Sequence, residues 1–184
     1  MYLINSPRLQ LREFNINDAE NIFILNSDPV VIRYTGDTEF KSLAESENFI
    51  KNYSHYKKYG FGRWNVELKS TGEYLGWCGL KYLPSLKEVD LGYRFMHKHW
   101  GKGYATESSL ACLNYGFCQL GLERIVGRAM KANAASINVL KKVGMCFEKS
   151  WIENGNIVEQ YTISNDEWLE TDPFEHIAIH LNQF

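Results

Sequence analysis

The stretch "HKHWGKGYATESS", residues 97–109, sets two glycines around a lysine and runs straight into what reads as a helix. Glycines let bare backbone N–H groups approach an anion, and a following helix start adds unpaired donors and a favourable dipole. Three phosphate readings compete with a plain flexible turn. A P-loop needs four residues between its first glycine and a Gly-Lys-Ser/Thr, and no such run is present. A dinucleotide fingerprint wants glycine where Thr106 stands. The remaining phosphate reading is a pyrophosphate cradle of another kind, built as strand, Gly-Lys-Gly-Tyr-Ala, helix.

The surroundings of the loop bear on this choice. Residues 91–147 carry eight basic side chains, Arg94, Lys98, Lys102, Arg124, Arg128, Lys131, Lys141 and Lys142, against Glu107 and Glu123. That block is +6 in a chain of net charge −2, so an anionic ligand there suits it, as does a solvated charged face. Nucleic acid fits poorly, because the chain is mildly acidic and shows no basic run with interleaved aromatics. About 30 residues downstream stands "NAASINVLKKVGM", 133–145. An ordinary amphipathic helix explains Ile137, Leu140 and Val143. It does not explain why Asn133 and Ser136 accompany the loop.

On either side the chain alternates strand and helix signals. Strands are expected at 8–14, 61–69, 73–83, 88–96 and 122–130. A hairpin is expected around Asn154-Gly155, the strongest short hairpin signal present. Helices are expected after Asn17 or Asp18, which can cap, and before Pro29. Further helices are expected at 43–59, from Tyr104 to Gly121, and at 133–144. Ser164 with Glu167 reads as a capping box, and no element is assigned from Asp172 on. The order β-α-α-βββ-α-β-α-ββ implies a single α/β (α+β) domain around one mixed, largely antiparallel sheet flanked by helices, over 1–184 with a core of 8–163. The four cysteines show no CxxC pair and read as reduced thiols. With no signal peptide and no apolar span, a cytoplasmic protein without a membrane partner is expected.

The features "RLQLRE", "FGRWNVELK", "YLGWCGL", "DLGYRF", "HWGKGYATES", "LERIVGRAMKANAASINVLKKVGM" and "NGNIVEQY" occur in the order expected of one family. The chain resembles the GNAT superfamily of acetyl-CoA-dependent N-acetyltransferases, and most closely its Rim-type branch of ribosomal-protein N-terminal (alanine) acetyltransferases. The resemblance covers roughly residues 8–163. It implies a GNAT-like fold, acetyl-CoA as co-substrate and no metal. Backbone N–H groups of Trp100, Gly101, Lys102, Gly103, Tyr104 and Ala105 would hold the coenzyme A pyrophosphate, with Thr106 as a side-chain donor and Asn133 touching the cofactor. The pantetheine arm would run along 92–96, and an N–H near Phe95 or Met96 would polarise the thioester carbonyl.

The resemblance further implies direct transfer to a primary amine, either a protein N-terminus or a small molecule such as a polyamine, amino acid or aminoglycoside. Glu88 and Asp90 are the candidate bases, sharing one face by their spacing of two. Many members carry a tyrosine acid where this chain has Leu140, and Ser136 is the branch's substitute, with Tyr161 and Tyr104 as further phenols. Trp64 and Tyr34 are candidates to line the acceptor site. The pairs His97/His99 and His176/His180 have no third metal ligand placed by sequence. A catalytically weak acyl-CoA-binding domain is the competing class, and a purely structural partner the third. Both a monomer and a homodimer fit.

Overall fold

The strand read at 88–96 forms the middle of one eight-stranded sheet. In the computed structural model, which describes residues 3–170, the strands are β1 (Ile4–Asn5), β2 (Leu9–Arg12), β3 (Arg63–Leu68), β4 (Tyr74–Leu83), β5 (Glu88–Phe95), β6 (Arg124–Met130), β7 (Cys146–Glu153) and β8 (Asn156–Ser164). Their spatial order is β1-β2-β3-β4-β5-β6-β8-β7. Every neighbouring pair is antiparallel except β5 with β6. The helices are α1 (Ala19–Ser27), α2 (Pro29–Ile32), α3 (Leu43–Lys51), α4 (His55–Tyr59), α5 (Tyr104–Cys118), α6 (Ala134–Lys142) and α7 (Asn165–Glu170). This is the mixed α/β sandwich that the sequence implies.

Local chemistry explains most of the boundaries. Leu9 and Leu11 are fully buried while Gln10 and Arg12 alternate outward, the period-two pattern of a strand with one core face. Asn154 and Gly155 both take positive φ, as the tight turn between β7 and β8 requires. Ser164 and Glu167 form the reciprocal cap expected of them, at 2.7 and 3.3 Å. The first cap lies earlier than Asn17 or Asp18. Asn15 accepts from the Asn17 N–H, and Asp18 reaches back to the Asn15 N–H at 2.8 Å, closing a capping box around a 3-10 turn at Ile16–Asp18.

The helix expected at 43–59 is two helices. The chain breaks at residues 52–54 because Tyr53 and Tyr56 are drawn onto β3. The Arg63 N–H donates to the Tyr53 hydroxyl at 2.6 Å, and the Tyr56 hydroxyl donates to the Arg63 carbonyl. Tertiary bonds here override a continuous helical period.

The core lies between the sheet and helices α5 and α6. Trp64, Leu80, Leu110, Leu113 and Ile125 are essentially unexposed, and Trp64 meets Tyr115 edge-on at 5.5 Å. Trp64 is therefore a core residue and lines no acceptor site. Ile4 and Trp168 are also buried, so packing extends on both sides of the 8–163 span. Helices α1 and α2 pack on β4 in a second, smaller cluster, where Leu25, Val31 and Tyr74 meet Trp77 and Met96, and α3 packs on α1. Among the described residues no helix is long and apolar enough to cross a membrane.

Candidate active site

Strand β5 has one closed edge and one open edge. Toward β4 it pairs along eight consecutive positions, from Glu88↔Leu83 to Phe95↔Gly76. Toward β6 it pairs only at Asp90↔Val126 and Leu91↔Gly127, after which the strands part. The Leu80 N–H bonds to the carbonyl of Gly62, the residue leading into β3, so the odd-numbered residues of β4 face β5. Asp90, Gly92 and Arg94 face back to them. The backbone N–H and C=O groups of Tyr93 and Phe95 consequently point into the gap, where β6 offers no partner. Such an edge can take an extended ligand as an added strand.

Met96 does not contribute a free donor. Its N–H is bonded to the Leu75 carbonyl at 3.0 Å. Of the two amides that the sequence reading nominates, Phe95 alone faces the gap, and Tyr93 joins it. The Phe95 carbonyl is capped by the Trp100 indole N–H at 2.8 Å, which anchors the loop to the end of β5. Trp100 is otherwise 46% exposed and stacks edge-on with His97.

The loop itself turns through Gly101 (φ 76°) and Gly103 (φ 79°), and Gly103 is the N-cap of α5. Side chains avoid that left-handed conformation, so glycine is required by the backbone. A Cβ at Gly101 would meet nothing within 4 Å among the described residues, so the space above that turn is open. The first backbone bond of α5 runs from the Glu107 N–H to the Gly103 carbonyl. The amides of Tyr104, Ala105 and Thr106 precede it and have no partner within the helix. They converge on the open space at the positive end of a fifteen-residue helix. The donor set suits a pyrophosphate.

The lysines play lesser parts. Lys98 is ion-paired with Glu73 at 2.7 Å, away from this opening, and Lys102 is exposed on the loop. Beneath the loop, His99 is buried and its ring lies edge-on to Tyr104. Burial holds its pKa below the usual histidine value, so it is neutral at pH 7. Among the described residues no three His, Cys, Asp or Glu side chains group as metal ligands, and His176 and His180 lie outside the described residues.

Across the gap, α6 begins with Asn133 as its cap, whose Oδ1 accepts from the Ser136 N–H at 3.1 Å. Ser136 meets a residue that the sequence reading passes over. The Tyr93 hydroxyl donates to the Ser136 carbonyl at 2.8 Å and lies 3.0 Å from its Oγ. A strand tyrosine thus reaches the helix side of the gap. Leu140 is buried against Gly127 of β6, and the Tyr161 hydroxyl is bonded to Glu159 at 2.9 Å.

The other face of β5 carries Glu88, Asp90 and Arg94, and here the two candidate bases separate. Both Glu88 oxygens are engaged, Oε1 by Arg124 and Gln160 and Oε2 by Arg128 at 2.5 Å. Burial pushes its carboxyl up, but the Arg124 hydrogen bond and the Arg128 charge outweigh that and leave it below the usual glutamate value. It is a structural ion and a poor base. Asp90 stands where β5 and β6 begin to part. Burial raises its carboxyl above the usual aspartate value despite the opposing charge of Arg63. The ion pair, at 2.5 Å, engages Oδ2, and Oδ1 makes no hydrogen bond among the described residues.

Arg63 also bonds the Gly79 and Asp90 carbonyls. A Cβ on Gly92 would sit 2.5 Å from its Nη2, so Gly92 makes room for the guanidinium. Trp77 lies beneath both Arg63 (5.4 Å) and Arg94 (5.3 Å). Arg94 in turn holds Asp37 of the α2–α3 connection, and Gly36 of that segment approaches Met130 at the end of β6. Tyr34, in the same segment, is stacked under Arg33.

A splayed parallel pair leading to a glycine-turned helix start, with a raised carboxylate at the point of splay, is the layout of an acyl-coenzyme A transferase. Residues 8–146 match the acetyltransferase (GNAT) domain family, and the chain belongs to it. It is an acetyl-CoA-dependent N-acetyltransferase. It is 30% identical to YoaA of Bacillus subtilis (strain 168), described as an uncharacterized N-acetyltransferase, over 94% of each chain. An acetyltransferase (GNAT family) from Bacillus anthracis has the same fold, with a TM-score of 0.78 at 27% identity over 90% of this chain and 99% of that one. The spermidine N-acetyltransferase from Vibrio cholerae, solved in complex with CoA and spermine, is similar in fold with a TM-score of 0.76. It is 21% identical over 89% of this chain and 99% of that one.

Proposed function

We propose that the chain acetylates a small primary amine that enters on the Asp90 face of the sheet while acetyl-CoA lies in the gap between β5 and β6. The observation that carries this is the α2–α3 connection. It spans from Arg94 on β5 to Met130 on β6 and roofs the mouth of the gap on that face. An acceptor must reach Asp90 past this segment, which favours a slender amine over the N-terminus of a folded ribosomal protein.

The cofactor, when bound, supplies the acetyl group as a thioester. The amides of Gly103 to Thr106 hold its pyrophosphate, with Asn133 fixing the helix start opposite. The Tyr93 and Phe95 N–H groups polarise the thioester carbonyl and hold the oxyanion. An alkyl ammonium is mostly protonated at pH 7 and must lose a proton to attack. Asp90 takes it, and its raised pKa makes it the better base of the two carboxylates. Arg63 fixes its orientation.

The test is a titration of acetyl-CoA by calorimetry followed by a screen for coenzyme A release. The panel holds polyamines, amino acids, aminoglycosides and N-terminal peptides. Turnover of small amines is expected. Turnover of peptides alone would reassign the acceptor to protein N-termini. Acetyl-CoA binding without turnover on any amine would leave a binding domain, and no binding at all would sink the reading.

A further inference from the structure

One cation on the Asp90 face is unmatched. Lys81 stands directly across from Asp90 in the β4–β5 ladder, so the two side chains rise from the same face of the sheet on neighbouring strands. Asp90 takes its ion pair from Arg63. The Lys81 ammonium is half-buried and has no ion pair or hydrogen bond among the described residues. It opens into a cleft of about 570 Å³ where β4 faces α3 and α4, lined also by Phe40, Glu45, Phe49, Tyr53 and His55. That volume is within the range of small-molecule sites. Phe40 belongs to the same α2–α3 connection as Asp37, so the cleft and the roof of the gap share one segment. We propose, on the reading that the amine loses its proton to Asp90, that this cleft holds the rest of the acceptor, that Lys81 binds a carboxylate on it, and that the substrate class is an α-amino acid with an apolar side chain.

Charge argues for the anion. Glu45 is the only carboxylate that lines the cleft among the described residues. It is exposed at the rim and accepts from the Lys41 N–H at 3.0 Å. Burial, and then the charges of Lys81, Arg63 and Lys58, hold His55 below the usual histidine value, so its ring is neutral at pH 7 and cancels none of the surrounding negative charge. The field inside the cleft is therefore positive. A carboxylate placed beside Lys81 gains a charge-assisted hydrogen bond. A polyamine would bring a second ammonium toward the same unmatched charge and be repelled by it.

Distance argues for the α-amino acid. Residues directly opposed in an antiparallel ladder have Cβ atoms roughly 5 Å apart. An α-amino acid joins its nitrogen and its carboxylate through a single carbon, so it can offer the first to Asp90 and the second to Lys81 at once. The side chain then turns to the aromatic wall. The Phe49 ring lies 6.1 Å from Phe40 and 5.6 Å from Tyr53, a continuous apolar surface on the far side of the cleft from the charges. Apolar side chains gain by leaving water against it. Lys81 thus selects the acceptor by what stands beside its amine, while Asp90 acts on the amine itself.

The test uses acceptors matched in side chain, with and without the carboxylate. Phenylalanine is set against phenethylamine and leucine against isoamylamine, with spermidine as the cationic control. Coenzyme A release gives kcat/KM for each. The ratio of acid to amine is compared between the unmodified protein and Lys81→Met, so the differing basicity of the two nitrogens cancels. Lys81→Met is expected to lower that ratio about tenfold or more with acetyl-CoA affinity unchanged, and Lys81→Arg to retain most of it. Phenylalanine is expected to exceed glycine about tenfold or more, and equal use of the two overturns the role of the aromatic wall. A ratio that survives Lys81→Met, or turnover of phenethylamine and spermidine without either amino acid, overturns the proposal and leaves the small-amine reading standing. Failure of every amine rejects that reading instead. The carboxylate site is then decided by calorimetry of N-acetylphenylalanine with the coenzyme A complex. Binding that Lys81→Met weakens about tenfold upholds the site, and absence of binding overturns it.

Discussion

The two edges of β5 use the same eight residues for opposite ends. On the β4 side, eight antiparallel pairs consume every backbone group that faces that way. On the β6 side, two parallel pairs hold the strands together and the rest is withheld. The closed edge fixes where the open edge stands, and the open edge keeps its amides for a ligand. Side chains follow the same division. Glu88, two residues before the first paired position, is locked by Arg124, Arg128 and Gln160, whereas Asp90, itself paired and next to the parting, keeps one oxygen without a hydrogen bond among the described residues. Two carboxylates on one face of one strand therefore have pKa values displaced in opposite directions.

That contrast can be broken most severely at Asp90. Asp90→Asn is expected to lower kcat/KM about a hundredfold, the usual worth of a positioned base, with acetyl-CoA affinity retained. The acid limb of the unmodified enzyme should lie above the ordinary aspartate range, and the Asn variant should lose it. Glu88→Gln, by contrast, should act on stability and leave kcat within about threefold. The signs in stability are opposite too. Asp90, with its raised pKa, binds its proton more readily in the folded state, so its contribution falls as pH rises above the ordinary aspartate value of 3.8. Glu88 is depressed, so its contribution is complete above 4.5 and is lost as pH falls. Denaturant titrations of both variants from pH 3 to 7, on the order of one unit apart, would show the two trends crossing if this is right.

The next largest effect is expected at the loop. Gly103→Val forces a β-branched residue into φ 79°, and that strain costs about 1–3 kcal/mol. The amides of Tyr104 to Thr106 would be re-aimed, and acetyl-CoA affinity should fall roughly ten- to a hundredfold by calorimetry. The closed edge should be untouched, so the melting temperature should fall only by what the strain itself costs, roughly 2–10 °C. An unchanged affinity would mean that the cradle is elsewhere.

The smallest expected effect comes from His99. Its depressed pKa means that it gains a proton in the unfolded chain before it does in the fold. The stability from neutral His99 is therefore complete above pH 6.5 and declines as pH falls below it. Protection of the 97–104 amides, measured as exchange corrected for its intrinsic pH dependence, should fall below that pH in the unmodified protein and stay level in His99→Phe.

The sequence was informative where structure is local. The glycine turn, the Asn154-Gly155 hairpin, the Ser164–Glu167 cap and the alternation of β2 are each written within a few residues. The break at Tyr53 is not, because its cause is a pair of bonds to Arg63 on another strand. Neither is the choice between Glu88 and Asp90, which share a period and differ only in what surrounds them after folding. Met96 looked equivalent to Phe95 because neighbouring amides in a strand point opposite ways, and sequence does not say which way is open. Tyr93 was hidden for a related reason. It reads as an alternating strand residue until α6 places Ser136 across the gap.

Arg63 and Gly92 show what such surroundings imply for inheritance. Position 92 has no side chain of its own, and the volume it vacates is filled from β3 by a guanidinium that also braces Asp90. The two positions form one unit across 29 residues of chain. A descendant that enlarges residue 92 must first shorten residue 63, and in doing so gives up the group that orients its base. Drift at a glycine with no chemistry of its own is thereby restrained by the reaction it never touches.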